Sequence, residues 1–322
     1  MNENFHIQFK DKNCLVTGGS GFIGSNLSRY LRKVGASVTI LDNFSTGRKD
    51  NISDFNDLGI NIVNTDIIDQ SNTQIFFENI DFVFHQAAIA SVPLSIKNPA
   101  LTKLHNVDGT VSVLKNSANK GVGKFIFASS SAIYGDTESI PTNEFVTAMP
   151  QSPYAEQKLA AEEYCNNYYK SNKLRTTSLR YFNVFGPYQD PGSEYSAVIP
   201  KFINLALNNE DLIIYGNGKS TRDFVFVDDV IQANLCAAIS EKSDGEAINI
   251  AHGETISIGD LANMIIEITG SKSSVVHASP RAGDIVHSAA DLTKARKLIG
   301  YESKTSMERG LSMTIDYFKQ SV

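Results

Sequence analysis

One glycine-rich turn constrains the fold of this chain more than any other feature. It reads Thr17-Gly18-Gly19-Ser20-Gly21-Phe22-Ile23-Gly24, behind the apolar run Cys14-Leu15-Val16 and ahead of an amphipathic segment from Phe22 to Val34. The layout is strand, tight turn, helix. Glycine takes positive φ without strain and lets a backbone approach a ligand closely. The exposed N–H groups that open the helix then make an anion site suited to a pyrophosphate. Two registers fit, Gly19-x-Gly21-x-x-Gly24 and the looser Gly18-x-x-Gly21-x-x-Gly24. The turn alone does not distinguish a nucleotide site from a plain loop.

The segments that follow alternate. Val38-Thr39-Ile40-Leu41 reads as a strand ending at Asp42, Ile62-Val63 as one ending before Asp66, and Phe82-Val83-Phe84 as one ending at His85. A long helix is expected from about Pro99 to Asn119, with Leu104, Val107, Val111 and Leu114 on its buried face. Phe125-Ile126-Phe127 is the next strand, Pro153 to Tyr169 the next helix, and Ser178 to Phe182 the last strand of the series. Strands alternating with helices predict an α/β fold with a doubly wound parallel sheet of Rossmann type. Ligands of such sheets sit beyond the carboxyl ends of the strands. Gly18, Asp42, Asp66, the serine run at Ser129 and Asn183 all fall there. After Asn183 come the breakers Gly186-Pro187 and Asp190-Pro191-Gly192, then a helix from roughly Ala197 to Asn208. Val225-Phe226-Val227 and Ala247 to Ile250 read as strands flanking a helix, Val230 to Ile239, and are expected to return to the main sheet. Residues 1–182, receiving about 224–250, form the expected dinucleotide-binding domain. Residues 183–223 and 251–322 form a smaller mixed α/β substrate lobe.

Composition narrows the function classes. A hydrophobic fraction of 42%, a charged fraction of 20% and a net charge of −6 describe an ordinary globular chain without the basic footprint of a nucleic-acid binder. No apolar run approaches the roughly 18 residues that span a bilayer. Met1 to Lys10 lacks the basic-then-apolar layout of a signal peptide, so a cytoplasmic protein is expected. Cys14, Cys165 and Cys236 lie far apart among apolar neighbours, as buried thiols in a reducing compartment do. The six histidines show no ligand spacing, so no metal is expected. His85 is read as ordering a loop at a strand end and His105 as structural. The same bland reading serves His252 and His287, although both fall near segments that would flank a substrate.

Three further constellations carry chemistry. Asp42 lies 18 residues past Gly24 at the end of the second strand. A carboxylate there accepts both ribose hydroxyls of an adenosine and repels a 2′-phosphate, which favours NAD over NADP. Arg48 nearby is the one residue positioned to meet such a phosphate. Asp66-Ile67 would suit the adenine edge. Tyr154-Ala155-Glu156-Gln157-Lys158 opens a helix behind Ser152 as N-cap and Pro153 at the first helical position. Residues four apart share a helix face, so the phenol and the ammonium point the same way. A neighbouring lysine and a cationic nicotinamide would both favour the phenolate. Lowering its pKa by about 3 units takes roughly 4 kcal/mol of differential interaction. Y-x-x-x-K alone occurs in many helices. Here Ser129-Ser130-Ser131 also closes the fifth strand about twenty residues earlier, where a hydroxyl can share a hydrogen bond with a substrate hydroxyl and Tyr154.

Taken together, these residues resemble the extended short-chain dehydrogenase/reductases, and within them the nucleotide-sugar 4-epimerases. The resemblance runs from about Asn13 to Phe318. Besides the glycine turn it rests on Leu41-Asp-Asn-Phe-Ser-Thr-Gly47, His85-Gln-Ala-Ala88, Asn106-Val-Asp-Gly-Thr110, Ser129-Ser-Ser131 and Tyr154-x-x-x-Lys158. It continues in Arg180-Tyr-Phe-Asn-Val-Phe-Gly186, Arg222-Asp-Phe224 and Arg281-Ala-Gly-Asp284. Residues 85–93, 180–191 and 197–201 look most like the epimerases that prefer UDP-N-acetylhexosamines.

The resemblance implies NAD as cofactor, a UDP-sugar as substrate and a homodimer built on the long helix from Pro99 and the Tyr154 helix. It implies Tyr154 as base and acid on the sugar 4-hydroxyl, and Lys158 as holder of the nicotinamide ribose. Ser130, four residues before Tyr134, would polarise the same hydroxyl. Cofactor contacts are implied at Gly18, Gly21, Phe22, Ile23, Gly24, Asp42, Asn43, Asp66, Ile67, Gln86, Ala87, Ala88, Asn106 and Tyr181, with Tyr154 and Lys158. Substrate contacts are implied at Ser91, Ser131, Asn183, Val198, Arg222, Arg281, Asp284 and Ser288, with Ser130 and Tyr154. The preferred glycine register becomes Gly18-x-x-Gly21-x-x-Gly24, with Gly19 a passenger.

Related dehydratases and decarboxylases carry acidic residues just before the position of Tyr134. Here Ser131, Ala132 and Ile133 stand there, and an alanine cannot donate a proton. Ser288 occupies the position of a bulky tyrosine in epimerases restricted to plain hexoses, and so leaves room for an N-acetyl group. Leu94 stands where the N-acetylhexosamine type carries a basic residue, which argues against a preference for uronic acids. Two other readings stay open: another nucleotide-sugar enzyme, such as a uronate epimerase or a reductase, and a non-catalytic nucleotide sensor. Intact Ser130, Tyr154 and Lys158 argue against the sensor.

Overall fold

Seven parallel strands form the central sheet of the computed structural model, which describes residues 3–190, 197–280 and 286–320. In chain order the strands are β1 (Asn13–Thr17), β2 (Ser37–Asp42), β3 (Asn61–Asn64), β4 (Phe82–His85), β5 (Lys124–Ser130), β6 (Thr176–Tyr181) and β7 (Asn183–Phe185). They continue as β8 (Leu212–Tyr215), β9 (Thr221–Arg222), β10 (Phe224–Phe226), β11 (Ala247–Ile250), β12 (Ile256–Ser257) and β13 (Val275–Ala278). The main sheet runs β11-β6-β5-β4-β1-β2-β3, so the winding direction reverses between β1 and β4. A crevice opens at that reversal, beyond the carboxyl ends of the strands.

A parallel sheet covered on both faces needs strands that are apolar on both sides. In β5, Phe125, Ile126 and Phe127 are all buried, each worth about 1.5–3 kcal/mol of apolar burial. Alternation divides them. Ile126 packs with Val16, Ile40 and Phe84 against Leu27 and Leu31 of the helix Phe22–Lys33. Phe125 and Phe127 pack with Leu15, Leu41 and Val83 against Val113 and Leu114, and against Ala161 and Cys165 of the helix Pro153–Lys170.

Three details correct the sequence reading. The expected single helix from Pro99 is α-helical over Pro99–Lys103 and Gly109–Asn119, with a π turn, Leu104–Asp108, between them. That wider turn points Asn106 inward and carries Leu104 off the buried face, leaving it 40% exposed. Only one of the two later strands joins the main sheet. β11 extends its edge beside β6, whereas β10 pairs with β7 in a separate two-stranded ribbon, because the chain leaves the sheet at Phe182. Finally, Cys14 and Cys165 are buried, but Cys236 is partly exposed. Two more ribbons, β12 with β9 and β13 with β8, build the second lobe over the carboxyl edge of the sheet. Among the described residues no helix is long and apolar enough to cross a membrane.

Candidate active site

The glycine turn follows β1 and is made by close approach. Gly18 sits at φ +70°, and a Cβ on it would lie 2.7 Å from the backbone of Ala87; one on Gly24 would lie 2.1 Å from the Gly18 carbonyl oxygen. Gly19 is no passenger. Its Cβ would fall 2.4 Å from the Ile40 side chain, so the turn could not rest on β2 with any other residue. The Phe22–Lys33 helix has Gly21 at its N-cap and no side-chain cap, which leaves its first N–H groups for an anionic ligand.

Asp42, at the end of β2, is buried and pinned by the backbone. Its two oxygens accept the Ser20 N–H at 2.9 Å and the Phe44 N–H at 2.8 Å. It lines a cleft with Gly18, Gly21, Asn43, Ile67, Gln86, Ala87 and Ala88. These residues fit NAD: a carboxylate for the ribose, an apolar wall for the adenine, and a backbone cradle with no side chains in the way. Arg48 is not in the cleft. It pairs with Asp50 at 3.2 Å and Asp190 at 3.0 Å, so it does not compete with Asp42 for the ribose.

Several expected cofactor residues act at one remove. Asp66, between the lining residues Thr65 and Ile67, accepts a hydrogen bond from Asn43 at 2.7 Å. Asn106 is buried and spends its amide on protein: it accepts from Ile89 N–H at 2.7 Å and donates to Ile89 O and Gln157 Oε1 at 3.2 and 2.9 Å. Asn106 therefore fixes the loop after β4 instead of lining the cleft. Phe22, Ile23 and Gly24 carry the uncapped first N–H groups of their helix. His105, read as structural, does line it and stands 3.7 Å from Asp66. The π turn brings it there.

The catalytic helix begins as its sequence predicts. Ser152 Oγ accepts the Ala155 N–H at 3.2 Å, and Pro153 takes the first position. Burial pushes the Tyr154 phenol above its ordinary value, and the Ser130 hydroxyl beside it offsets that in part. Lys158 donates to the Ala128 carbonyl at 2.7 Å, with its Nζ 6.0 Å from the Tyr154 ring centre. Burial brings it down to about 8. His85 is buried and brought down to about 3, first by burial and then by the Lys158 charge. Its Nδ1 lies 2.7 Å from Thr17 Oγ1 and its Nε2 2.9 Å from Thr110 Oγ1. Thr110 already donates to the Asn106 carbonyl, so the imidazole carries its proton on Nε2.

Ser130 and Tyr154 open onto a cavity of about 590 Å³ between sheet and second lobe. Ser131, Asn183, Val198, Arg222 and Ser288, all expected at the substrate, line it, and so do Ala132, Thr142, His287 and Tyr181, the last expected at the cofactor. Tyr181 meets Gln86 and Asn234 through its hydroxyl and so joins the two compartments. Ser91 is not in the cavity. It caps the helix Val92–Lys97, accepting the Leu94 N–H at 3.1 Å. His252 does not line it either and bonds Ser303 at 2.7 Å. Arg281 and Asp284 lie outside the described residues.

Asp223 escaped the sequence reading and organises this wall. Fully buried, it accepts N–H bonds from His252, Gly253 and Ala290. Its carbonyl holds the Asn183 amide at 3.1 Å. One carboxylate thus ties the strand carrying Arg222 to the segment carrying Ser288.

A model of the NAD dependent epimerase/dehydratase family matches residues 14–251. The chain belongs to this family. A UDP-glucose 4-epimerase of Mycolicibacterium smegmatis is 35% identical to it over 308 residues, 95% of this chain and 98% of that protein. A UDP-N-acetyl-alpha-D-glucosaminuronate decarboxylase of Bacillus cytotoxicus is 37% identical over 320 residues, 96% of this chain and 98% of that protein. Among solved structures, a UDP-N-acetylglucosamine 4-epimerase from Methanobrevibacter ruminantium M1, in complex with UDP-N-acetylmuramic acid, superposes with a TM-score of 0.93. It is 38% identical, and the match covers 97% of this chain and all of that one. Like the rest of its family the enzyme uses NAD, and the cleft beside Asp42 is where its residues fit the adenosine half.

Proposed function

We propose that this family member is a UDP-sugar 4-epimerase that interconverts UDP-GlcNAc and UDP-GalNAc, and accepts UDP-glucose and UDP-galactose as a second pair. One observation carries the reading. Among the described residues no Asp or Glu lines the cavity beside the Ser130–Tyr154 pair, and Ala132 stands next to it. Elimination of water or loss of carboxylate needs an acid there; oxidation and re-reduction at one carbon do not. The same observation weighs against the decarboxylase chemistry named for the Bacillus cytotoxicus relative.

The bound cofactor supplies a reversible hydride acceptor. Tyr154 takes the proton of the sugar 4-hydroxyl and later returns it, while Ser130 orients that hydroxyl. Lys158, braced on Ala128, holds the nicotinamide end. Ser288 and Thr142 are small where an N-acetyl group has to fit, and the cavity leaves room for a 4-keto sugar to turn over. Arg222 and Asn183 suit the pyrophosphate. In support of a homodimer, Leu101, Leu104 and Tyr164 are exposed apolar residues on the two long helical segments (39, 40 and 42%), and Ile96 on the short helix before them is 64% exposed. Three unpaired thiols suit a reducing cytoplasm. The test is incubation with UDP-GlcNAc alone. UDP-GalNAc should accumulate with no added reductant; net consumption of NADH would make the enzyme a reductase instead.

A further inference from the structure

The strand that ends in Ser130 is stitched to the Tyr154 helix at two consecutive residues. The Ala128 carbonyl accepts from Lys158 at 2.7 Å and the Ser129 hydroxyl donates to Glu162 Oε2 at 2.7 Å, which sets Ser130, the next residue, beside Tyr154. On the helix side Tyr154, Lys158 and Glu162 are four apart and so on one face. Tyr154 and Lys158 belong to the reaction as read above. Glu162 does not reach the cavity, yet it is buried and carries a charge.

Arg180 balances that charge from β6, where it sits in register opposite Ser129. It grips both Glu162 oxygens, at 3.1 Å through Nε and 2.5 Å through Nη2. Its Nη1 donates to the Tyr134 hydroxyl at 2.8 Å, and that hydroxyl donates to Asn249 Oδ1 at 2.6 Å. Tyr134 closes the turn Ser131–Tyr134, for which Ser130 is the N-cap through its contact with the Ala132 N–H. The network therefore holds both sides of Ser130: the residue before it through Glu162, and the turn after it through Arg180 and Tyr134. A buried ion pair of this kind adds little to stability over an apolar pair of the same shape, and its better-attested role is to fix register.

We propose that Glu162 and Arg180 are positioning residues for proton transfer, a neutral clamp that fixes the register of the Ser130 strand against the Tyr154 helix. The inference rests on the epimerase reading for what the register serves. Displacing a reacting group by about 1 Å costs on the order of 100-fold in rate. Binding of UDP and NAD uses other residues and should not change.

The test compares NAD-loaded wild type with Glu162→Gln and Ser129→Ala. Glu162→Gln does not serve as the sole probe, because it leaves the Arg180 charge uncompensated; Ser129→Ala leaves the ion pair whole and cuts only its link to the strand. Both variants should lower kcat by about 10- to 100-fold with KM for the UDP-sugar unchanged, and Ser129→Thr, which restores the hydroxyl, should recover the rate. An unchanged kcat in Ser129→Ala overturns the proposal, as does a rise in KM with kcat intact. Should the wild type turn over no UDP-sugar, the functional reading fails by itself, and the clamp is read from an ultraviolet titration of the Tyr154 phenol against a Tyr154→Phe blank. Ser129→Ala must then shift that phenol to higher pH, because a displaced Ser130 no longer lowers it. A phenol that does not move contradicts the clamp.

Discussion

In the proposed reaction the chemistry turns on Tyr154, and the structure sharpens what that residue needs. Burial holds the phenol protonated, and the Ser130 hydroxyl offsets this in part. Removing the phenol hydroxyl in Tyr154→Phe should cut kcat by at least the roughly 100-fold typical of a lost acid–base group, with UDP affinity retained; a rate near wild type would mean that another group moves the proton. Behind it, His85 yields a stability prediction with a definite sign. Its folded pKa, about 3, lies below the ordinary value of 6.5. Above pH 6.5 neither state is protonated there and the residue contributes no pH dependence. Below it the unfolded chain binds a proton that the folded one refuses, so stability falls as pH drops and levels off below about pH 3. Thermal unfolding should steepen by about 1.4 kcal/mol per pH unit within this window, and His85→Gln should remove that slope. An identical acid limb in the variant would place the proton elsewhere.

At the scale of elements, legibility followed the distance over which a contact acts. The strand–turn–helix at Gly18, the N-cap at Ser152 and the shared face of Tyr154 and Lys158 depend on residues within a turn or two, and all could be read from the chain. The π turn could not. One extra residue inside an otherwise regular apolar pattern leaves the composition unchanged, yet it turned Asn106 inward toward Ile89 and brought His105 to the cleft. Long-range anchors were equally hidden. Asp223 stood in the motif Arg222-Asp-Phe224 with no role read for it, and only the fold brings His252, Gly253 and Ala290 to it. Glu162 was legible in principle, since it continues the four-residue spacing from Lys158, but its meaning lies in Arg180 on another strand. The Asp223 anchor is testable by itself. Asp223→Asn turns an amide donor toward backbone donors, at about 1–3 kcal/mol for each group left unpaired. KM for the UDP-sugar should rise about tenfold, the factor that about 1.4 kcal/mol sets, while NAD stays bound. If KM is unchanged in the folded variant, Asp223 does not hold the Arg222 and Ser288 walls together.

For the whole molecule, the sheet acts as a divider with two compartments on its carboxyl edge. The Asp42 cleft lies over β1 and β2; the larger cavity lies over β5 and β6, beneath the second lobe. Ser130 and Tyr154 stand on the wall of the second, with Lys158 behind them, and Tyr181 reaches Gln86 between the two. In the proposed reaction a cofactor held in the first compartment and a sugar held in the second meet at one carbon of the sugar. Among the described residues, the apolar and hydroxyl-bearing lining gives that carbon no carboxylate to eliminate against. None of the exposed apolar residues Ile96, Leu101, Leu104 and Tyr164 lines either compartment, so assembly into a dimer through them would leave the chemistry of each copy whole. The central claim is that hydrogen leaves carbon 4 as hydride, waits on retained NAD and returns to the other face. UDP-GlcNAc incubated with the NAD-loaded enzyme in heavy water tests it most directly, with the products resolved by NMR. The account predicts UDP-GalNAc carrying ordinary hydrogen at carbon 4 and no deuterium at its neighbours. Deuterium at carbon 4, or no epimer at all, would contradict it.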